Sequence, residues 1–192
     1  MYHLPIKSKF QVTAVFGQTG KYWADGHKGI DIVSSDKNVR SVCDGTVRVI
    51  ACDKNGWGNY ITIGDAHGNI HVYCHLAQLP TLANKKVTAG QVIGVMGATG
   101  NVTGVHLHYQ VNNAKGTPQN PALFLGIPNK IGEYNGDSLY KDDAKISPWA
   151  KEAVYYCKGQ GKMVGDTEGN FNPKAPLTRE EAAVIIYNAS NK

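Results

Sequence analysis

Short β-branched runs alternate with turn-forming clusters through the first 125 residues, and no other feature constrains the fold as strongly. The runs Thr46-Val47-Arg48-Val49-Ile50, Tyr60-Ile61-Thr62-Ile63, Ile70-His71-Val72-Tyr73, Gln91-Val92-Ile93-Gly94-Val95 and Leu107-His108-Tyr109-Gln110-Val111 are each about five residues long. Asp53-Lys54-Asn55-Gly56, Asp65-Ala66-His67-Gly68-Asn69 and Thr99-Gly100-Asn101 separate them. Branched and aromatic side chains suit a pleated strand, and Asn, Asp and Gly suit tight turns. This part of the chain therefore reads as a mainly antiparallel β domain over residues 1–125, with no long helical period.

Gly126, Pro128, Gly132 and Gly136 break any period after that point, so 126–139 reads as a linker. The pattern then becomes helical. Trp149, Ala150, Ala153, Val154 and Cys157 recur at helical spacing, with Ser147 as N-cap and Pro148 as the first helical residue. A second helix is expected after Thr178, with Glu181 as its capping-box partner, through Ala182-Ala183-Val184-Ile185-Ile186-Tyr187. The fold class expected is α+β and multi-domain: the β domain and a small C-terminal helical unit over 140–192.

Composition sharpens this division. Residues 1–134 carry 12 basic and 7 acidic side chains, against 8 of each in 135–192. All seven histidines fall within the first 108 residues. A basic surface favours an anionic partner, namely nucleic acid, membrane or an acidic wall polymer, or is simply well solvated. No basic stretch is interleaved with aromatics as in nucleic-acid motifs, so no nucleic-acid partner is expected. At 42% hydrophobic and 18% charged residues, the chain affords a packed core and is not wholly disordered. No run reaches about 18 apolar residues, so no membrane span is expected. Cys43, Cys52, Cys74 and Cys157 form no Cys-x-x-Cys pair and read as free thiols.

Three elements carry chemistry. In His106-Leu107-His108 a strand places both imidazoles on one face, where they bind one metal together, or one binds while the other moves protons. In His27-Lys28-Gly29-Ile30-Asp31 a glycine-flanked turn enters a strand at Ile30–Val33. A histidine and a carboxylate four residues apart can converge there on an ion such as zinc. His75 is the third, suited to accept a proton near neutral pH. Strand alternation puts His71 and Tyr73 on the face of His75, which makes His71 a candidate groove residue.

These elements, with Phe16-Gly17, Gly58-Asn59-Tyr60-Ile61-Thr62-Ile63, Tyr73-Cys74-His75-Leu76, Val87–Gly94 and Gly97–Tyr109, follow one another in order over about Phe16 to Leu125. In them the chain resembles the lysostaphin/LytM-type zinc metallopeptidases that cut bacterial peptidoglycan. The resemblance implies one Zn2+ held by His27, Asp31 and His108, with His75 and His106 flanking the catalytic water at the floor of a narrow groove. Three ligands leave a fourth position open, as catalytic zinc requires. Two departures from the family pattern stand out. Val105 replaces the usual proline before the H-x-H motif, and Cys74 sits beside His75, either packed and inert or near the metal. Tyr22 and Trp23, before His27, are either packing residues or flanks of the substrate.

The tail has a second resemblance, to one S-layer homology unit. It rests on Tyr140-Lys141-Asp142, Trp149-Ala150, Gly165–Pro173 and Leu177-Thr178-Arg179-Glu180-Glu181. Such units bind secondary cell-wall polysaccharide, which implies wall-binding roles for Trp149 and Arg179; core packing is the other reading of Trp149. A single copy, where three are usual, also implies a homo-oligomer through the tail. The whole then resembles a bacteriophage endolysin: a zinc-dependent endopeptidase of peptidoglycan, made in the host cytoplasm without a signal peptide and anchored at the wall. A secreted host autolysin whose leader has been trimmed is the alternative origin. A catalytically inactive wall-binding or regulatory module is the alternative function.

Overall fold

The computed structural model describes residues 2–136, 140–159, 163 and 165–190. Eleven strands are present among these: β1 Phe10–Ala14, β2 Ile30–Ser34, β3 Asn38–Arg40, β4 Gly45–Asp53, β5 Gly58–Gly64, β6 Ile70–Leu76, β7 Lys86–Val87, β8 Val92–Val95, β9 Leu107–Asn112, β10 Pro118–Gln119 and β11 Gly132–Tyr134. The main sheet runs β11-β1-β2-β9-β6-β5-β4-β7, with β10 against β9, while β3 and β8 form a separate ribbon. Every pairing is antiparallel. The helices are α1 Ala122–Leu125, α2 Lys151–Gly159 and α3 Arg179–Ser190. None is long and apolar enough to cross a membrane.

Alternation along the strands sorts the side chains. Ile30, Ile32, Leu107, Tyr109, Val111 and Tyr73 are buried in one large apolar cluster with Ile61, Ile63 and Leu76. Burial of such side chains is the main stabilising term, about 1.5–3 kcal/mol for each large one. The other face of β2 and β9 is thereby left to Asp31, His108 and Gln110. The buried hydroxyl of Tyr73 accepts from the Val42 amide at 2.8 Å, which satisfies a backbone donor inside the core.

The expected strands at 46–50, 60–63, 70–73, 91–95 and 107–111 are all present, and β1, whose Phe10-Gln11-Val12-Thr13-Ala14 alternates buried and exposed, adds another. Part of the stretch expected as linker is ordered in the sheet. β11 pairs with β1 through Phe10↔Tyr134 and Val12↔Gly132, and Ile127 lies in the main core. The remaining linker residues 137–139 fall outside the described residues.

In the tail, Tyr140, Ile146 and Val154 form a second, smaller cluster. A 3₁₀ turn over Pro148–Ala150 leads into α2, and Ser147 Oγ accepts from Lys174 Nζ at 2.8 Å. The capping box at α3 is closed in both directions: Glu181 N donates to Thr178 Oγ1 at 3.1 Å, and Thr178 N donates to Glu181 Oε2 at 2.8 Å.

Candidate metal centre

The register of β2 against β9 sets Asp31 directly opposite His108. Both project away from the core, and the turn before β2 brings His27 to the same point. His108 Nδ1 lies 2.9 Å from Asp31 Oδ1 and 3.0 Å from His27 Nε2, and His27 Nε2 lies 3.3 Å from Asp31 Oδ1. All three residues are buried, and each offers one ligand atom to a common centre. A tetrahedral ion with bonds of about 2.0–2.1 Å spaces its ligand atoms roughly 3.3–3.4 Å apart, so zinc fits this triangle with shifts of a few tenths of an ångström. Burial alone would raise the Asp31 carboxyl, but hydrogen bonds from His108 and His27 hold it well below the usual carboxylate range, as a ligand must be.

Each histidine is aimed by its other nitrogen. His27 Nδ1–H donates to the Val15 carbonyl at 3.1 Å, and His108 Nε2 lies 3.4 Å from Gln110 Oε1. His75 Nδ1–H donates to the Thr99 carbonyl at 2.9 Å, and His106 Nδ1–H to the Gly104 carbonyl at 3.0 Å. The lone pairs of His75 and His106 are therefore left on Nε2. His106 Nε2 stands 3.9 Å from Asp31 Oδ1, and the rings of His75 and His106 are 4.7 Å apart.

His75 reaches this position by breaking the strand pattern. β6 pairs Tyr73 with Ile61 and Leu76 with Asn59, so Cys74 and His75 share the single residue Tyr60 as partner. This bulge, with His75 at φ 61°, turns its side chain toward His108, whose ring is 6.0 Å away. His71 keeps the regular alternation and lands on the opposite face. It is fully buried, with Nδ1 2.7 Å from the Tyr109 hydroxyl and Nε2 3.2 Å from Asp65 Oδ2. The expectation that His71 shares the groove face with His75 is thus overturned by one extra residue in β6.

The segment Asn101–Val105 forms one wall of a groove of about 480 Å³, whose lining also includes Thr13, Ala14, Val33, Tyr22 and Trp23. Thr99 is fixed firmly: its hydroxyl accepts from Asn59 N at 2.9 Å and donates to the Leu76 carbonyl at 2.8 Å. Only glycine at 58 permits this approach, because a Cβ there would sit 2.2 Å from the Thr99 carbonyl oxygen, on a backbone with φ 61°. Trp23 lies with its ring 4.5 Å from that of His27, whereas Tyr22 is 70% exposed at the rim. Cys74 is fully buried and its thiol is pushed well up by burial, so it is a packed group. In the tail, Trp149 is 87% exposed, which removes core packing as its role, and Arg179 is exposed as well.

The sequence profile described as peptidase family M23 matches residues 25–121, half of the chain, and spans His27, Asp31, His75, His106 and His108. The chain belongs to this family. Peptidoglycan DD-endopeptidase ShyA of Vibrio cholerae is 44% identical over 73 residues, covering 37% of this chain and 16% of that protein. The catalytic domain of the antimicrobial peptidase lysostaphin from Staphylococcus simulans superposes with a TM-score of 0.55 at 27% identity, over 60% of this chain and 91% of that one. A zinc-containing peptidase from Vibrio cholerae gives the same TM-score at 28% identity, over 62% of this chain and 37% of that one. The chain spans less than a third of the length of its curated M23 relatives. A second profile, the S-layer homology domain, matches residues 139–183.

Gly29 and Gln110 are site residues that sequence reasoning passed over. A Cβ at Gly29 would lie 2.6 Å from the Tyr109 carbonyl oxygen and 2.7 Å from His108 Cε1 and Nε2. Gly29→Ala is therefore expected to displace the His108 ring. Equilibrium urea unfolding should show a loss of about 1–3 kcal/mol, and metal analysis after dialysis should show substoichiometric zinc.

Burial pushes the His75 imidazole down to about 4, against the Thr99 carbonyl, which favours the charged form. The unfolded chain holds that proton from about pH 6.5 downward. His75 therefore contributes stability that is complete above about pH 6.5 and is lost as pH falls toward 4. In metal-free protein, thermal midpoints measured between pH 7 and 4 should fall less steeply for His75→Gln than for the parent.

Proposed function

We propose that this chain is a zinc-dependent endopeptidase that hydrolyses peptide bonds of bacterial peptidoglycan, with 1–136 as the catalytic part and 140–192 as a wall-binding part. The observation that carries the reading is the convergence of His27, Asp31 and His108 on one point, with His75 and His106 beside it in an open groove. An inactive wall-binding module has no need of that complete set. Zinc, when bound, supplies Lewis acidity for the scissile carbonyl and lowers the pKa of a water. Two histidines and one carboxylate hold it, and the single negative charge of Asp31 leaves net positive charge on the centre.

The chain's own groups handle the protons. His75 is neutral near pH 7, with its lone pair at Nε2, and takes a proton there. His106 presents Nε2 from the other side, so one of the pair can accept the proton of the attacking water while the other protonates the leaving amine. As imidazolium, either stabilises developing negative charge on the carbonyl oxygen. ShyA and the zinc-containing peptidase support the substrate class and the ion, respectively.

Exposed Trp149 and Arg179 support a polysaccharide-binding role for the tail. Arg179 suits an acidic group on the secondary cell-wall polymer through paired hydrogen bonds. Leu177, Val184 and Ile185 are also exposed, which supports association of the tail with a second copy of itself.

Two experiments follow. On purified walls, release of new amino groups should require zinc. His108→Ala should lose both metal and activity, whereas His75→Ala and His106→Ala should keep stoichiometric zinc and lose about 10²–10⁴ in turnover. Full zinc in His108→Ala removes it from the ligand set. For the tail, cosedimentation with walls is measured on the His106→Ala chain, so that the walls survive. Adding Arg179→Ala should weaken binding by about 1.5–3 kcal/mol; unchanged binding rejects Arg179 as the contact.

A further inference from the structure

The turn over 53–58 joins β4 to β5, outside the β2–β9 pair that carries Asp31 and His108. Two of its carbonyls nevertheless reach the groove. Trp57 O accepts from the His75 amide at 2.9 Å, and Gly56 O accepts from the Asn101 amide at 3.0 Å. Both contacts lead to His75. The first holds its backbone at the bulge in β6. The second holds the residue two positions after Thr99, whose carbonyl aims the His75 ring.

Two successive carbonyls, each aimed at a different segment, require a turn of fixed shape, and Asp53 supplies it. Its Oδ1 accepts from the Asn55 amide and its Oδ2 from the Trp57 amide, both at 3.2 Å. An aspartate often bonds the amide two residues on; the second bond, four residues on, is the one that reaches the site. The Trp57 N–H and the Gly56 carbonyl belong to one planar peptide unit, so the bond at Oδ2 also sets the direction in which that carbonyl faces Asn101. The turn is fitted closely around this carboxylate: a Cβ at Gly56 would lie 2.3 Å from Asp53 Oδ2. Asp53 itself is exposed and does not line the groove.

We propose that Asp53 is a positioning residue for His75: by fixing the turn it holds the His75 backbone through Trp57 and the segment that aims its ring through Gly56 and Asn101. The bearing of this on turnover rests on the function proposed above.

Amide hydrogen exchange, followed residue by residue in the intact chain, reads the geometry without reference to turnover. In Asp53→Ala the His75 and Asn101 amides should both exchange about tenfold faster, while the ladder amides of β2 and β9 keep their parent rates. Unchanged rates at 75 and 101 overturn the proposal, and so does an equal acceleration of the ladder amides, which would mean a general loss of stability. Turnover on purified walls is the second readout. Zinc content should stay at the parent value, since no proposed ligand touches the turn, and kcat should fall about 10–100-fold. In the His75→Ala chain the same substitution should cost less than about threefold, because the residue it acts through is already gone. An equal loss in both backgrounds overturns the positioning of His75. If Asp53→Ala does not fold, Gly56→Ala serves instead: Gly56 has no positive φ, and the added methyl displaces the Asp53 carboxylate, so the same two amides should exchange faster. A parent that releases no amino groups from walls sinks the proposed function, and the exchange rates then decide the positioning on their own.

Discussion

The site depends on one cross-strand pair, Asp31 opposite His108. Because side chains alternate with a period of two, that register puts a carboxylate and an imidazole on the outer face of the sheet and their neighbours Ile30, Ile32, Leu107 and Tyr109 in the core. A slip by one residue would turn both polar groups into the apolar core and four core side chains out of it. The apolar burial that stabilises the sheet therefore also fixes the spacing of Asp31, His108 and His27, whose facing atoms are 2.9–3.3 Å apart.

Beneath the site, the polar groups inside the fold are paired. His71 joins Tyr109 to Asp65, and Asp65 also accepts from Tyr2 and Asn69. Burial alone would raise the Asp65 carboxyl, but these hydrogen bonds hold it well below the usual range. An unpaired polar group in such surroundings would cost about 1–3 kcal/mol. The network thus gives β6 and β9 a fixed relation on the core side, while His75 and His108 use the opposite side of the same two strands.

Much of this was legible in the residues. The β-branched runs located the strands, the His27–Asp31 and His106–His108 pairs located groups that converge in the groove, and Thr178 with Glu181 located the start of α3. What escaped was whatever depended on a partner distant in the chain. The alternation of β6 fails at Cys74-His75 because Tyr60 faces two residues, and nothing within β6 announces that. β11 is stable only against β1, so its three residues look like part of a linker on their own. Gln110 was findable, since it lies two residues from His108 on a strand, but its place between His108 and Asn112 shows only in the fold.

The segment from Thr99 to Val105 combines two tasks that many folds keep apart. Its side chains shape the groove, and two of its backbone carbonyls hold the rings of His75 and His106. Side chains at 101, 102, 103 and 105 can vary without touching those carbonyls, so the groove can diversify by substitution while His75 and His106 stay aimed. Insertions or deletions in the same segment have no such freedom, since they would carry Thr99 or Gly104 away with the wall. Within this scaffold, then, selectivity is free to drift by point replacement, whereas a change in the length of this segment would need a new way to orient both imidazoles.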